Sequence, residues 1–470
     1  MALVIEMTDR AFAIAQHGKL LEASDSVVRT AGAHDGRPGE PMAGRSRLVP
    51  TEVSSDHWAQ IAAQSTTAGG LARAVQTAEV ELVARLARAG LQTPQAAEVI
   101  VSAAFGPLAL RPILSLLGSA GLRVVAFRDA AVTVAAVLDL PGELLVVELG
   151  LHHVAATRVS RRGAAFVRNG NRIDWQAGGW QQLLQQWLDL AAQALVLRTR
   201  FDPLHDARTE QLLYDALPAA LRAATDHAVA NVALRTPGGE HVTVQLTRDQ
   251  LALPAQACMR ATATLLHSLR PAGADITLVL PALMARLPGV DSLLADFAGC
   301  ELLTIEDGFA AVGLSGALSD IPAQHWGPLE SHKAPLIRRY PQALISGGFA
   351  STSRRIGTTA TRIAPTHLLH EGRAIAISAQ TIEIGRAASG VPGIALPEGL
   401  AAVSRLHCSL RREDGQVVLI DHSRYGTFVN GEKVAGSAIL RAGDRVRIGD
   451  PGVELAMIAV SDNNAPPPTN

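Results

Sequence analysis

Glycine, arginine and serine motifs recur in the C-terminal part of this 470-residue chain. The first is Ile384-Gly385-Arg386, the second is Ser404-Arg405-Leu406-His407, and the third runs over residues 421–431. Guanidinium and hydroxyl groups make hydrogen bonds with anions, and hydrogen bonds assisted by charge are the strong ones. The three motifs are therefore candidate binding loops.

Short alternating apolar runs lie between and after these motifs, at residues 374–377, 417–420 and 444–448. Period-two alternation broken by Gly and Asn predicts short antiparallel strands, and many such strands predict a β-sandwich. The polar motifs fall at the strand breaks, so we expect them on loops at the ends of the sandwich. Loops held by a rigid scaffold commonly carry binding sites.

Together with residues 440–449, the three motifs make the segment 366–460 resemble the forkhead-associated (FHA) domain. That family is an all-β sandwich that binds phosphothreonine in other proteins. The resemblance implies a threonine-phosphorylated partner, such as a kinase or its substrate.

The resemblance also implies which side chains contact the ligand. A phosphothreonine carries about −1.5 to −2 charges and three acceptor oxygens. Arg386 and Ser404 correspond to the phosphate contacts, with Arg405 as a second cation. Arg424 and Thr427, in the next loop, correspond to contacts with the phosphate or the peptide backbone.

Other motif residues are expected to support the loops. In the family, the residue at His407 braces the loops, Gly385 and Gly426 permit the turns, and Asn430 stabilises a hairpin. One departure concerns Tyr425, because the family carries an Asn there that holds the peptide main chain. A tyrosine offers one hydroxyl instead of the paired donor and acceptor of an amide. Weaker peptide binding, or recognition that does not need phosphate, is therefore an open alternative.

Composition excludes several classes of partner. The 42 Lys and Arg residues nearly balance the 43 Asp and Glu residues, for a formal net charge of −1. This balance gives no electrostatic reason to expect nucleic acid or an anionic membrane surface. Cys258, Cys300 and Cys408 lack metal-ligand spacing and predict reduced thiols. We expect a cytoplasmic protein without a signal peptide. We also expect no segment inserted in a membrane, because a membrane span would need ~20 apolar residues.

Strands and helices alternate over residues 1–321, as in the strand-like run 98–103 and the helical run 180–198. This pattern predicts an α/β domain. The element order resembles the actin and heat-shock chaperone ATPase superfamily, which has a duplicated ribonuclease H-like fold. Residues 5–10 lie where its first phosphate loop belongs, and residues 147–153 lie where its second belongs.

The phosphate loops depart from that family. Its members place an Asp before glycines, where the Asp organises the metal and the glycines let backbone N–H groups approach phosphate. Here Glu6 and Glu148 replace the aspartates, Thr8 and Asp9 stand where small residues belong, and Gly150 remains in the second loop. Asp9 would add a negative charge beside a polyphosphate. We expect a vestigial nucleotide site that holds no cofactor, with binding of ATP and Mg as the alternative.

Other catalytic or metal-binding arrangements are not indicated. His152 and His153 are neighbours, so on a strand they would point to opposite faces; we expect one in the core and one at the surface, and no metal site. Ser404 and His407 lack the Gly-x-Ser-x-Gly elbow of a nucleophilic serine. We therefore expect no enzymatic activity.

Residues 322–365 are rich in Pro, Gly, Ser, Thr and Arg without apolar periodicity, which predicts a flexible linker. Threonines near arginines at 351–355 and 358–361 are candidate kinase sites and so a candidate self-ligand; a plain spacer is the alternative. The polar, Pro-rich tail at 461–470 predicts disorder. The predicted domain organisation is 1–321, 322–365, 366–460 and 461–470.

The sequence supports three functional hypotheses. The first is a non-enzymatic signalling adaptor that binds a phosphothreonine protein through the FHA segment, while the ATPase-like domain supplies a second interaction surface. The second is an active or nucleotide-gated ATPase that the FHA segment directs to phosphorylated partners. The third is a structural assembly component with phosphate-independent contacts. The sequence specifies no oligomeric state.

Overall fold

Two compact units make up the part of the chain that the computed structural model describes. The described residues are 3–30, 36–63, 68–92, 95–236, 238–271, 274–297, 299–319, 336–337, 339–340, 352–355, 365–370, 373–388, 393–397, 399–413, 415–442, 444–450 and 452–458. The first unit is drawn from Met1–Thr262, Leu278–Leu293 and Leu303–Ser353. The second is drawn from Ala263–Thr277, Leu294–Leu302 and Arg354–Asn470.

Helices and strands alternate through the first three quarters of the described chain. The strands are β1 (Leu3–Met7), β2 (Ala11–Gln16), β3 (Lys19–Asp25), β4 (Val28–Arg29), β5 (Val53–Ser54), β6 (Gln95–Val101), β7 (Leu122–Asp129), β8 (Glu143–Leu149), β9 (Val154–Arg162), β10 (Ala165–Asp174), β11 (Val229–Arg235), β12 (His241–Thr247), β13 (Ile276–Pro281), β14 (Glu301–Ile305), β15 (Leu336–Ile337), β16 (Arg339–Tyr340) and β17 (Thr352–Arg355). The α-helices are α1 (His57–Ala63), α2 (Ala68–Arg88), α3 (Pro107–Ser119), α4 (Ala130–Leu138), α5 (Trp180–Thr199), α6 (Ala207–Asp226), α7 (Arg248–Leu269), α8 (Ala282–Ala285), α9 (Val290–Ala295) and α10 (Phe309–Ser319).

Two large sheets among these described strands have the same order of five strands when the second is read in reverse: β7-β6-β1-β2-β3 corresponds to β14-β13-β8-β9-β10. The first sheet has the order β15-β7-β6-β1-β2-β3, in which β1, β2 and β3 form an antiparallel meander and β1, β6 and β7 are parallel. The second has the order β16-β10-β9-β8-β13-β14-β17, and β8, β9 and β10 again form an antiparallel meander. The prediction of mixed α and β structure in the N-terminal part is confirmed.

Strand β1 is buried on both faces, because helices cover each side. Leu3, Ile5 and Met7 alternate along the strand and join a core with apolar residues of α1, α2 and α3. Val4 faces the other way and joins a second core with residues of α4 and α10. Since side chains alternate along a strand, Glu6 lies on the face of Val4. A carboxylate is thereby placed beside the start of α10.

Local capping explains where two of the helices begin. Asp129 is the N-cap of α4, because its carboxylate accepts a hydrogen bond from Val132 N at 3.2 Å. Asp206 caps α6 in the same way and accepts from the backbone N–H groups of Arg208 and Thr209. Such caps satisfy N–H groups that have no partner inside the helix.

The C-terminal part of the described chain is all-β, as predicted. Its strands are β18 (His367–His370), β19 (Arg373–Ala376), β20 (Ile382–Gly385), β21 (Gly393–Ala395), β22 (Cys408–Glu413), β23 (Gln416–Asp421), β24 (Thr427–Val429), β25 (Glu432–Lys433), β26 (Ser437–Leu440), β27 (Arg445–Gly449) and β28 (Gly452–Ile458). Those described strands form one sheet of order β19-β18-β28-β27-β24-β25 and another of order β21-β20-β22-β23-β26. Alternate residues of both sheets share one core, which includes Ile384, Leu410, Leu419, Val446 and Leu455. The turns that follow β20 and β23, and the turn before β22, carry the candidate binding motifs.

Much of the predicted linker and the whole predicted tail, 461–470, lie outside the described residues. So do the candidate kinase sites at 358–361. Within the predicted linker, β15 pairs with β7 in parallel and β16 pairs with β10 in antiparallel fashion. Of the helices described, none is long and apolar enough to cross a membrane.

Candidate functional site

Gly385 and Arg386 bring the turn after β20 against the turn before β22. The N–H of Arg386 donates to Ser404 O at 3.1 Å, and the N–H of Ala387 donates to Arg405 O at 3.0 Å. A Cβ added to Gly385 would lie 2.1 Å from Arg405 O. Only glycine therefore allows this approach, which sets the half-buried Arg386 beside Ser404.

His407 joins two of the turns from inside the sandwich, where it is fully buried. Its Nδ1 accepts from Ser404 N at 3.0 Å, and its Nε2 lies 3.1 Å from Gly426 O. A backbone N–H can only donate and a carbonyl can only accept, so the imidazole is neutral with its proton on Nε2. Burial lowers the pKa of His407 below its ordinary range, which favours that neutral form.

A second turn, after β23, is held by Asp421. Its Oδ1 accepts from Ser423 N at 3.0 Å and from Thr427 Oγ1 at 2.7 Å. Burial acts to raise the pKa of Asp421, but the hydrogen bonds from Ser423 and Thr427 outweigh it and lower that pKa. Ser423 Oγ in turn accepts from Gly426 N at 2.7 Å, so the turn is closed by its own side chains.

This turn meets the Ser404 turn through Arg424. The N–H of Arg424 donates to Ser404 Oγ at 3.2 Å, which leaves the hydroxyl proton of Ser404 able to donate elsewhere. Arg405, Arg424 and Tyr425 are exposed, with Tyr425 54% accessible. The structure thus brings five predicted ligand-contacting residues to one end of the sandwich: Arg386, Ser404, Arg405, Arg424 and Tyr425.

Thr427 and Asn430, by contrast, point into the sandwich. Thr427 is fully buried, and its hydroxyl donates to Asp421 instead of reaching the surface with the arginines. Asn430 has a left-handed φ of 51° and is also buried. Its amide donates to Asp444 Oδ1 at 3.0 Å and accepts from Arg445 N at 2.9 Å, so it ties the turn after β24 to β27.

Two groups near the site received no role from the sequence. Ser423 belongs to an Asp-x-Ser turn, and that spacing is a recognisable signal for a side chain that bonds to the backbone two residues on. Lys433 follows the Asn430 turn, and a Cβ on Gly426 would lie 2.6 Å from Lys433 Cε. Its side chain therefore lies over Gly426, and the Asn430-Gly431 pair is a local signal for the hairpin that returns Lys433 to this place.

In the first unit, the carboxylate of Asp9 lies against the turn of residues 150–153. Its carboxylate accepts from Leu151 N and His152 N at 3.1 Å each and lies 3.2 Å from His153 Nδ1. Both Asp9 and His153 are fully buried. A Cβ on Gly150 would lie 2.4 Å from Asp9 Oδ1, so the glycine makes room for this carboxylate.

Asp9 and His153 each favour the charged form of the other. Burial acts to raise the pKa of Asp9, but the charge and hydrogen bond of His153 outweigh it and lower that pKa. Burial acts to lower the pKa of His153, and Asp9 reverses the direction and raises it. Both shifts favour the ionised pair, and the carboxylate of Asp9 accepts hydrogen bonds from the backbone N–H groups of Leu151 and His152.

Glu6 and Glu148 are both engaged by the protein itself. Glu6 Oε2 accepts from Ala311 N at 2.9 Å, and burial raises the pKa of Glu6 to about 7. Glu148 accepts hydrogen bonds from Ser102 Oγ and, at 3.2 Å, from Ala103 N. Burial also raises the pKa of Glu148. Thr8 closes the turn from β1 to β2, because its hydroxyl accepts from Ala11 N at 2.8 Å.

The space between these residues is small. A cavity of about 70 Å³ is lined by Glu6, Thr8, Glu148 and His153, among others. Small-molecule sites commonly measure ~300–1,000 Å³. Arg10 borders the cavity and is occupied by the protein, since it bonds to Leu149 O at 3.2 Å and pairs with Asp25 and Asp307.

His152 and His153 separate as the sequence predicted. His153 is fully buried, whereas His152 is partly exposed and its Nε2 lies 3.0 Å from Ser55 O. Within the described ranges, no group of three or more His, Cys, Asp or Glu side chains is arranged to hold a metal ion.

Comparison with known proteins identifies the C-terminal sandwich. Residues 382–449 match the model of the FHA domain family. The predicted FHA domain is therefore confirmed over these residues, which contain the turns of Arg386, Ser404 and Arg424. Among curated proteins, none matches the chain.

Proposed function

We propose that this chain is a non-enzymatic adaptor that binds a threonine-phosphorylated protein through its FHA domain. The observation that carries the proposal is the hydrogen-bonded contact of three turns, which groups Arg386, the hydroxyl of Ser404 and Arg424 at one end of the sandwich. A phosphate dianion needs fixed cations and hydroxyl or N–H donors. Thr427 is left out of the proposed contacts, because its hydroxyl is buried and bonded to Asp421.

Binding of a phosphothreonine peptide library to the full chain tests the proposal. Arg386→Ala should weaken the selected peptides by at least about tenfold, because a hydrogen bond to a charged group is worth ~1.5–3 kcal/mol. Arg411→Ala is the matched control, since Arg411 pairs with Glu413 at 2.8 Å on β22. Equal affinity for the unphosphorylated peptides would refute the phosphate-dependent mechanism. A pull-down from cells with wild type and Arg386→Ala then identifies the partner.

For the first unit we propose a degenerate actin-like ATPase scaffold that serves as a second interaction surface. The two large sheets support an internally duplicated fold, because they share one order of strands. Each contains an antiparallel meander, and the first strand of that meander lies next to a strand that comes later in the chain, β6 beside β1 and β13 beside β8.

The free, buried cysteines Cys258, Cys300 and Cys408 support a reducing, cytoplasmic location.

A carboxylate of the protein itself occupies the position proposed for the second phosphate loop. This supports the proposal that the first unit does not hydrolyse a nucleotide. Asp9 already fills the N–H groups of Leu151 and His152, so a phosphate would have to displace a buried ion pair. Titration calorimetry of the full chain with Mg-ATP tests this. We expect no heat of binding, and tight binding would favour the alternative, a nucleotide-gated or active ATPase.

Tyr425 favours a second candidate function, a structural assembly component that binds without phosphate. Its ring is exposed at the position where the FHA family uses an amide. Under this alternative, Tyr425→Ala would abolish the pull-down of partners while Arg386→Ala would not. The adaptor function predicts the opposite order of effects.

A further inference from the structure

Two adjoining cavities lie in the first unit. The inner cavity is the space of about 70 Å³ described above beside Glu6 and Glu148. The outer cavity measures about 470 Å³, which falls within the ~300–1,000 Å³ of common small-molecule sites. Arg10, Glu306 and Asp307 line both cavities, so the two spaces adjoin at these side chains.

The lining of the outer cavity is acidic. Its charged groups are four carboxylates and two guanidinium groups: Asp25, Asp215, Glu306, Asp307, Arg10 and Arg286. Arg10 pairs with both Asp25 and Asp307, and Arg286 pairs with Glu306 at 2.7 Å. Asp215 forms no ion pair with any residue that the structure describes. Two negative charges therefore remain uncompensated in this lining, which favours a cationic ligand over an anionic one.

The carboxylate of Asp25 indicates how incompletely Arg10 compensates its neighbours. Partial burial raises the pKa of Asp25, the charge of Arg10 lowers it, and the charge of Asp307 raises it again, so that the pKa is raised overall. One guanidinium is shared between two carboxylates. A second cation in the outer cavity would therefore stabilise the charged form of both.

Apolar side chains line another part of the outer cavity. Trp180 and Tyr214 are each 8% exposed, Leu184 is buried and Leu283 is half-buried. These four side chains are called the apolar wall. A ligand with a hydrocarbon body and one charged end suits such a cavity, because the apolar wall removes the hydrocarbon from water while the carboxylates pair with the charge. An inorganic cation would leave the apolar wall without a partner.

The inner cavity contributes a hydrogen-bond donor without an acceptor. His153 lines this cavity and is fully buried, and its Nε2 has no hydrogen-bond partner among the residues that the structure describes. Its Nδ1 is already bonded to Asp9, and an imidazolium donates from both nitrogens. A ligand hydroxyl would accept from Nε2 and donate its own proton to the carboxyl group of Glu6 or Glu148. A ligand carboxylate would instead meet like charges there.

We propose that the two cavities together bind a hydroxylated alkylamine. Its ammonium group lies among the carboxylates of Asp25, Asp215 and Asp307, and its hydrocarbon chain lies against the apolar wall. Its hydroxyl group extends into the inner cavity and accepts a hydrogen bond from His153. This site lies in the first unit and goes beyond the adaptor function of the FHA domain. It agrees with the expected absence of nucleotide binding, because the same carboxylates repel phosphate groups.

Ligand-observed NMR with the full chain tests the proposal. The probes are linear amino alcohols from ethanolamine to aminooctanol, each compared with the amine and the alcohol of the same chain length. We expect at least one amino alcohol to bind about tenfold more tightly than its alcohol, because hydrogen bonds to charged groups are the stronger class. It should also bind more tightly than its amine, which has no group to accept from His153. No binding by any amino alcohol, or equal binding by the alcohol or the amine, overturns the inference.

Asp215→Asn assigns the ammonium group to the outer cavity. The change removes one charge, and the amide oxygen can still accept the hydrogen bond that Asp215 receives from Gln211 Nε2 at 2.9 Å. It should reduce the preference for the amino alcohol over the alcohol. Asp189→Asn is the matched control, since Asp189 is exposed on α5, outside both linings, and accepts from Gln185 Nε2 at 2.9 Å. Equal effects of the two variants overturn the inference, as does binding of adenosine without binding of the amines.

Discussion

The backbone N–H of Ser404 donates to Nδ1 of His407 across 3.0 Å, so a proposed ligand-binding turn depends on an unprotonated imidazole. The same ring reaches Gly426 O through Nε2 and so holds the turn of Arg424 as well. Protonation of Nδ1 would place two donors against each other. The geometry of the phosphate-binding turns is therefore coupled to the charge of one buried side chain.

A pH dependence of the FHA domain follows from this coupling. The folded-state pKa of His407 is lowered from its ordinary 6.5. A group with a lowered folded pKa contributes stability above its unfolded pKa and loses it as the pH falls. We expect the thermal midpoint of the FHA domain to decrease as the pH falls below about 6.5. His407→Gln should remove much of that decrease; a wild-type slope in the variant would contradict this role.

Gly385→Ala should damage both stability and binding. The new Cβ would meet Arg405 O at 2.1 Å, and backbone on both sides must move to relieve the overlap. Overpacking of this kind typically costs about 1–3 kcal/mol. Chemical denaturation should show that loss, and anisotropy should show weaker phosphopeptide binding. Gly399→Ala is the matched control, because its Cβ would have no neighbour within 4 Å, and comparable damage there would argue against the mechanism.

Much of the FHA site could be predicted from local sequence. Arg386 follows β20, and Ser404 to His407 precede β22, where the alternation of apolar residues breaks. Both their loop position and their proximity in a sandwich are therefore expected. The sequence predicts that Thr427 contacts the ligand. In the structure Thr427 is the first residue of β24 and, like Val429, faces the buried side of that strand. The Asn430-Gly431 pair indicates the hairpin that returns Lys433, but the contact of its side chain with Gly426 depends on packing that no short motif specifies.

In the α/β unit, the sequence predicted elements better than contacts. The pattern of apolar residues predicted the strand β6 and the helix α5 within a few residues. Asp9 was predicted only to oppose a polyphosphate, whereas its carboxylate binds the 151–153 turn more than 140 positions away. Such pairing depends on how two meanders pack, and local propensity carries no information about it.

Asp9→Asn should strongly destabilise the first unit. The change leaves His153 buried without its anion and weakens the acceptor for Leu151 N and His152 N. Breaking a buried ion pair typically costs ~3–5 kcal/mol. Asp291→Asn is the matched control, because its pair with Arg248 is exposed and should contribute less than ~1 kcal/mol. Equal free energies of unfolding for the two variants would contradict the role given to Asp9.

Glu6→Gln should stabilise the first unit at high pH and have little effect at low pH. Burial raises the pKa of Glu6 from 4.5 to about 7, so above pH 4.5 the unfolded chain ionises while the folded carboxyl resists. The native protein is therefore penalised progressively as the pH rises from 4.5 to about 7. Gln stays neutral and can still accept from Ala311 N, which removes the penalty. Urea denaturation at pH 4 and pH 8 measures the difference, with the exposed Glu240→Gln as a control expected within about 0.5 kcal/mol of wild type at both values. A stabilisation by Glu6→Gln that is the same at both pH values would exclude ionisation as its cause.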